Sequence, residues 1–371
     1  MVSDIPAFPP SHHLSPEPLN GLVVMDRLGF DKGGKNYSLH LSRPYFKRHG
    51  IYLDFVASSS MHRFAFSLPS LHKFFRRTYD FVLFNSVASL FYVNVHGLYT
   101  GIGYYLARLI IKMGIPVFIY WHETEWVFKK ISREHRRGAE KANRFASRES
   151  IMHLAASDAC GKYLRQRFRG SDPATIYECS RVPKRYDRTN IPSHPPFVVN
   201  VASIQERKGP DLFVDTAIKV CNQHPSVTFM WMGDGTDYGT WRRDIASSKY
   251  QDRILFPGYV DNPHEWLNRA SMFFLTSRDD PFPLAVLEAM NLSRTIMAFN
   301  VGGAPEALNG NGILIDPFDT DKTAAAILEC LKKPPESLVV PAWRKRYEEN
   351  DTPERVAARL NRIIRERLKI N

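Results

Sequence analysis

The feature that most constrains this chain is a rhythm. A short apolar run is followed by a loop and then by a helix-like segment, and the unit recurs from end to end. In the first half the runs are GLVVMD (21–26), IYLDFVA, YDFVLFNS, GIPVFIYWHE and the start of IMHLAASDACGKYLRQRFRG. The second half restarts with FVVNVASIQERKGPDLFVDTAIKV and continues through VTFMWMGDG, RILFPGYV, SMFFLTS, RTIMAFN and GILID. Strands alternating with helices specify parallel α/β units, because each helix returns the chain to the same end of the sheet. Between the halves, RTNIPSHPPF places three prolines in ten residues, which reads as a linker.

The expected architecture is therefore α/β, with two Rossmann-like doubly wound domains and a central cleft. The N-terminal domain spans 21–188, the linker 189–196 and the C-terminal domain 197–340. Residues 1–20, rich in Pro and His and without a basic-then-apolar pattern, read as a flexible tail. Residues 341–371 end in the charged helix TPERVAARLNRIIRERL, expected to pack back towards the N-terminal domain. A length of 371 residues suits two domains of about 150 each. Ligands bind at the carboxyl edges of such sheets, which directs attention to the cleft.

Composition narrows the setting. Residues 1–190 carry a net charge of +13 and residues 191–371 one of −1, so the halves are expected to do different jobs. A basic half suits an anionic partner, either a membrane surface, an acidic polymer or nucleic acid. Nucleic acid is the least favoured of these, since that half has none of the recognised readout motifs. Cys160, Cys179, Cys221 and Cys330 lie far apart, with no metal-binding spacing, and read as reduced thiols of a cytoplasmic protein. The longest apolar stretch, GIGYYLARLIIKMGIPVFIYW, is interrupted by Arg108, Lys112 and Pro116, so no membrane span is expected.

The stretch SMFFLTSRDDPFPLAVLEAMNLSRTIMAF carries the chemistry. A strand ends near Ser277, and a helix begins near Pro283, where a proline suits the first turn. The N–H groups of Leu284 and its neighbours have no helical partners and carry the positive end of the dipole, a ready site for phosphate. Glu288 follows roughly 6–7 Å along the axis, where an acceptor-only carboxylate can take two ribose hydroxyls. Asp280, on the loop, would overhang a sugar beyond the diphosphate. Spacing alone leaves a second reading open, in which Asp279 and Asp280 cap the helix and Glu288 is solvated.

These residues carry a resemblance. DDPFPLAVLEAM resembles the acid-seven-residues-acid motif of retaining glycosyltransferases of the GT-B fold, in particular glycosyltransferase family 4, with Asp280 and Glu288 as the acids and Phe282 between them. VASIQERKGPDLFV is similar to that family's loop ending in Lys-Gly, FMWMGDG to its Gly-Asp-Gly strand, and NVGGAPEALNGNGILIDPFD to its Gly-Gly-x-x-Glu segment. In the first half, DKGGKN resembles the Gly-Gly acceptor loop and VFIYWHE the strand ending in histidine.

The resemblance implies a retaining, metal-independent transfer of a glycosyl unit from a nucleotide-sugar, UDP- or GDP-linked, to an acceptor hydroxyl. No cofactor is implied. Lys208 would hold the donor diphosphate, Glu288 the ribose, and Asp280 the hydroxyls of the sugar. His122 would stand at the cleft wall near that sugar, and the Gly33-Gly34 backbone would approach the phosphate or acceptor. Leu284 and Phe282 belong to the same donor-binding turn. Two departures stand out. Ser203 replaces an arginine that often partners the lysine, with Arg207 as its substitute, and Asp280 is one methylene shorter than the usual glutamate. Glycan, polysaccharide or glycolipid synthesis is implied, with a glycan or lipid-linked acceptor. The alternatives are a non-catalytic binding or scaffold subunit of the same fold and a GT-B sugar-nucleotide epimerase. A possible helix with Leu71, Phe74 and Phe75 on one side and Lys73, Arg76 and Arg77 beside them, followed by Lys129, Lys130, Arg133, Arg136, Arg137 and Arg144, suits peripheral attachment to the inner, anionic face of a membrane.

Overall fold

In the computed structural model, residues 17–25, 37–57, 79–85, 94–95, 98–99, 102–126, 128–129, 140, 144–148, 150–183, 186, 195–235, 237–333, 337 and 340–370 are described. The first sheet is built from β1 (Leu19–Met25), β2 (Ile51–Ala57) and β3 (Phe81–Asn85), with α1 (Tyr37–Phe46) between β1 and β2. A small antiparallel hairpin, β4 (Asn94–Val95) and β5 (Leu98–Tyr99), precedes α2 (Ile102–Lys112). Strands β6 (Val117–Trp121) and β7 (Ile151–Ala155), helix α3 (Asp158–Arg167) and the short β8 (Ala174–Thr175) complete it. The spatial order is β2-β1-β3-β6-β7-β8, and every pair is parallel.

The second sheet has the order β11-β10-β9-β12-β13-β14, again all parallel. Its elements run β9 (Phe197–Val201), α4 (Pro210–Gln223), β10 (Thr228–Met232), α5 (Tyr238–Ala246), β11 (Ile254–Gly258) and α6 (Pro263–Arg269). Then come β12 (Met272–Leu275), α7 (Leu284–Asn291), β13 (Thr295–Phe299), α8 (Ala304–Leu308), β14 (Ile313–Ile315) and α9 (Thr320–Leu331). The winding direction reverses between β9 and β12, which opens a crevice at their carboxyl ends. The two doubly wound sheets are those expected from the alternation. Periodicity shows no sign of β8 or of the β4–β5 hairpin, whose strands are two residues long, too short to show a period.

Central strands such as FVLFN of β3 and VFIYW of β6 are buried at every residue, as parallel strands covered on both faces must be. The four cysteines are buried and form no disulfide. Among the described residues no helix is long and apolar enough to cross a membrane.

Two last helices, α10 (Pro341–Asn350) and α11 (Pro353–Leu368), tie the halves together. In α11 the Thr352 side chain caps the first turn by accepting from Arg355 N–H, and Pro353 sits where its missing N–H costs nothing. Val356, Leu360 and Ile364 recur every four residues on one fully buried stripe. The helix packs on α1 of the first domain. Asn361 donates to the His49 carbonyl at 2.7 Å and Arg365 to that of Glu17 at 2.8 Å.

Candidate functional site

The C-terminal wall of the cleft begins where β9 runs into a tight turn, Glu206–Lys208, closed by Gly209 at φ +69°. A Cβ at Gly209 would lie 2.2 Å from the Thr276 carbonyl oxygen, so only glycine lets this turn dock on the end of β12. The docking is tight. Arg278 N–H donates to the Arg207 carbonyl at 2.8 Å, and Thr276 Oγ1 donates to that of Lys208 at 2.9 Å. Both basic side chains are thereby delivered to the acidic loop. Lys208 Nζ makes an ion pair with Asp280. Arg207 turns into the site, donating to the Asp279 carbonyl at 2.6 Å, and its guanidinium lies 4.0 Å from Asp280 Oδ2. Ser203 is exposed, and its hydroxyl accepts from Gln205 at 2.7 Å.

The charges here are tuned by burial as much as by pairing. Burial pushes the Asp280 carboxyl up, but the Lys208 ammonium and Arg207 guanidinium outweigh it and hold the group below its ordinary range. Burial pulls the Lys208 ammonium down, against the attraction of Asp280. At Asp279 burial wins, and its carboxyl is raised despite the bond from Thr124 and the nearby Arg207. The pair Lys208–Asp280 is thus a buried ion pair with a second cation beside it.

Helix α7 starts after Pro283, and no side chain caps it. Asp279 and Asp280 are both engaged elsewhere, which removes the reading of them as helix caps. In the first turn of α7 the Val286 N–H bonds back to the Pro283 carbonyl at 3.0 Å, while the N–H groups of Leu284 and Ala285 stand ahead of any helical carbonyl. Phe282 is buried and stacks on Tyr177 at 5.0 Å. Glu288 is 8% exposed, so it is not a solvated helix residue. Its Oε1 accepts from Ser180 Oγ at 2.9 Å, and its Oε2 stands 3.4 Å from His264 Nε2. Gly302 and Gly303 lie against the acidic loop, with the Gly303 N–H donating to the Asp280 carbonyl at 2.8 Å. Cβ atoms at these two glycines would meet the Asp280 and Pro281 carbonyls at 2.3 and 2.1 Å.

The opposite wall comes from the first sheet. His122, directly after β6, is buried, with Nδ1 on Glu178 and Nε2 2.9 Å from Asn85 Oδ1 at the end of β3. Its ring lies 4.2 Å from that of Tyr120. Two residues on, Thr124 donates to the Asp279 carboxylate across the cleft. Glu306, the acid of the Gly-Gly-x-x-Glu segment, crosses the other way. It accepts from the N–H groups of Asp158 and Ala159 at 2.6 and 2.7 Å, placing its charge at the positive end of α3.

The structure brings His122, Lys208, Arg207, Asp280, Phe282, Leu284 and Glu288 to the facing edges of the two sheets. Ser203 does not join them. Gly33 and Gly34 lie outside the described residues, as do Leu71, Lys73, Phe74, Phe75, Arg76, Arg77, Lys130, Arg133, Arg136 and Arg137. Of the remaining cations, Lys129 is exposed and pairs with Glu125 at 2.8 Å, and Arg144 is exposed. Sequence reasoning missed Asn85, Thr124, Tyr177, Glu178, Ser180 and His264. None belongs to a motif, and only the Tyr-Glu-Cys-Ser run itself, a polar stretch after β8, offered any signal. Among the described residues no group of three or more His, Cys, Asp or Glu side chains is placed to hold a metal.

Comparison with known proteins finds similar sequences and a similar fold. Residues 195–333 match the family model "Glycosyl transferases group 1". The chain is 29% identical over 134 residues to one component of the phosphatidylinositol N-acetylglucosaminyltransferase of Arabidopsis thaliana, a match covering 35% of this chain and 30% of that relative. It is 21% identical over 278 residues to alpha-D-kanosaminyltransferase of Streptomyces kanamyceticus, covering 67% of each. The former match spans less than two thirds of the relative's length. Among solved structures, HepE of Anabaena in complex with UDP-glucose superposes with a TM-score of 0.68 at 18% identity, over 94% of this chain and 99% of that one.

Proposed function

We propose, for a chain of GT-B fold whose residues 195–333 match the group 1 glycosyltransferase model, that it transfers a sugar from a nucleotide-sugar to an acceptor hydroxyl with retention of configuration. The observation that carries this reading is one constellation. Lys208, Arg207 and the start of α7, which no side chain caps, converge on the acidic loop, with Glu288 one turn further in. Cations beside a helix N-terminus suit a diphosphate, and a carboxylate just beyond suits the ribose attached to it.

In this mechanism the bond from the anomeric carbon to the departing diphosphate oxygen breaks as one forms to the acceptor oxygen on the same face. The acceptor proton passes to the departing oxygen. Lys208, Arg207 and the α7 dipole stabilise the negative charge that develops there, the largest single contribution such a site makes. No metal is required for this step. Asp280, paired with Lys208, faces the sugar hydroxyls once Lys208 turns to the phosphate. Arg207 takes the place of the arginine that Ser203 lacks. Its side chain already points inward, which favours a working site over a decayed one.

Thermal-shift titration with UDP, GDP and their common sugars tests the reading, followed by a release assay on whichever donor stabilises the protein. The expected result is a raised melting temperature with one diphosphate, and a loss of most of that shift in Glu288→Ala. Ligand at a hundred times its Kd stabilises by about 2.7 kcal/mol, so the shift is measurable. No response to any nucleoside diphosphate would remove the proposal.

The second half of the reading is a lipid-linked acceptor met at an anionic membrane face. Along α1, the turn Lys47–His49 that follows it and the edge strand β2, Arg43 lies 5.1 Å from the Phe55 ring, Lys47 5.9 Å from Tyr52 and Arg48 5.5 Å from Tyr45. Tyr52 is 44% exposed. Aromatic and basic side chains together suit a headgroup layer. Flotation with anionic liposomes at low salt should carry the protein up, and an Arg43/Lys47/Arg48→Ser triple variant should bind about a hundredfold less, at about 1 kcal/mol per charge. Wild type that stays at the bottom of the gradient rules this out.

A further inference from the structure

We infer that Ser180 is a positioning residue for donor binding, through which the ribose-binding carboxylate is set by the N-terminal domain. The inference rests on the assignment of Glu288 to the donor ribose and adds to it a residue that no motif contains. Its basis is the extended segment from Ile176 to Ser180, which follows β8 and runs along the cleft.

Nearly every residue of this segment grips a different part of the site. The Ile176 carbonyl accepts from Tyr120 OH at 2.6 Å, behind the His122 ring. Tyr177 stacks on Phe282 of the acidic loop. Glu178 holds His122 Nδ1. Cys179 Sγ lies 3.4 Å from Ser42 Oγ on α1, which anchors the segment in the first domain. Ser180, fully buried, gives its hydroxyl hydrogen to Glu288 Oε1 at 2.9 Å, and its carbonyl accepts from Tyr347 OH at 2.5 Å. Two anchors therefore fix Ser180, one in the first domain and one on α10.

The bond to Glu288 is charge-assisted and buried, the kind that fixes a side-chain rotamer. A carboxylate has about four acceptor positions, so Oε1 keeps a lone pair for a ribose hydroxyl while holding Ser180. The His264 ring lies on the side of Oε2, leaving the carboxylate plane framed by one residue from each domain. Without the Ser180 hydroxyl, Glu288 loses its only partner from the first domain among the bonds described, and must be ordered by the ligand itself. That ordering is a cost to binding and not to the transfer step.

The test is isothermal titration of the full chain with UDP and, in parallel, GDP. Ser180→Ala is expected to raise the Kd for the diphosphate the wild type binds by about tenfold, in line with loss of a hydrogen bond to a charged group. Ser180→Thr, which keeps the hydroxyl, should restore it to within about threefold. Ser180→Cys provides a variant of similar volume with a weak donor should the alanine protein fail to fold, and it should resemble alanine in affinity. A merely structural serine would lower the melting temperature of the variants and leave the Kd unchanged. Glu288→Gln separates the two levels of the claim. If it weakens diphosphate binding while Ser180→Ala and Ser180→Cys bind as wild type does, the inference about Ser180 is overturned and the assignment of Glu288 stands. If Glu288→Gln also binds as wild type does, both fall.

Discussion

Lys208→Ala is expected to remove donor turnover almost entirely and to destabilise the C-terminal domain. Two effects add here. On the proposed function the ammonium is one of two side-chain cations that meet charge on a leaving diphosphate, and removing one such donor in an enclosed site lowers turnover by about 10²–10³-fold. The same substitution leaves Asp280, 4% exposed, with only the Arg207 guanidinium at 4.0 Å to offset its charge. Breaking a buried pair by deleting one partner costs about 3–5 kcal/mol. The double variant Lys208→Ala/Asp280→Asn separates the effects, since it removes the stranded charge along with the cation. It should regain most of the lost stability in urea titration while remaining inactive in donor release. A double variant as unstable as the single one would show that the ion pair does not account for the loss. Wild-type turnover in Lys208→Ala would remove it from the site.

At Asp351 the expected effect is on stability and its pH dependence. This residue closes α10, its N–H donating to the Tyr347 carbonyl at 2.9 Å, and it is fully buried. Neither carboxylate oxygen has a hydrogen-bond partner, and Arg359 Nη1 likewise has none. Burial pushes the carboxyl up to about 7, with Arg346 and Arg359 pulling it only part of the way back. The folded chain therefore holds this proton more tightly than the unfolded chain does, where the group titrates near 3.8. The resulting stability is fully present below about pH 4 and is lost as pH rises through 7. A shift of about three pKa units corresponds to about 4 kcal/mol. Asp351→Asn should accordingly be the more stable protein at pH 8, with the advantage shrinking steadily towards pH 4. Urea midpoints of the two proteins across pH 4–8 check this, and parallel curves would refute it.

The order of strands and helices was legible because it is written in local periods: apolar runs the length of a strand, helical spacing, and prolines between the halves. The strand-to-helix spacing of Asp280 and Glu288 likewise put both acids beside one helix start, and Lys208-Gly209 at one strand end. Positions along one element follow from chain geometry alone. Which partners each side chain takes there was decided only when the sheets faced each other. Arg207 could as well have pointed away from its loop; the docking of Arg278 on its carbonyl turns it inward. Asp279 and Asp280 had the pattern of helix caps, yet Thr124 and Lys208 claim them. Glu288 had the look of a solvated residue until Ser180 covered it. The partners in these cross-cleft contacts are far apart in the chain: 108 residues between Ser180 and Glu288, 155 between Thr124 and Asp279, 148 between Asp158 and Glu306. No periodicity extends over such distances. A buried polar group takes whichever partner the packing of two domains brings within about 3 Å, and that choice exists only in three dimensions.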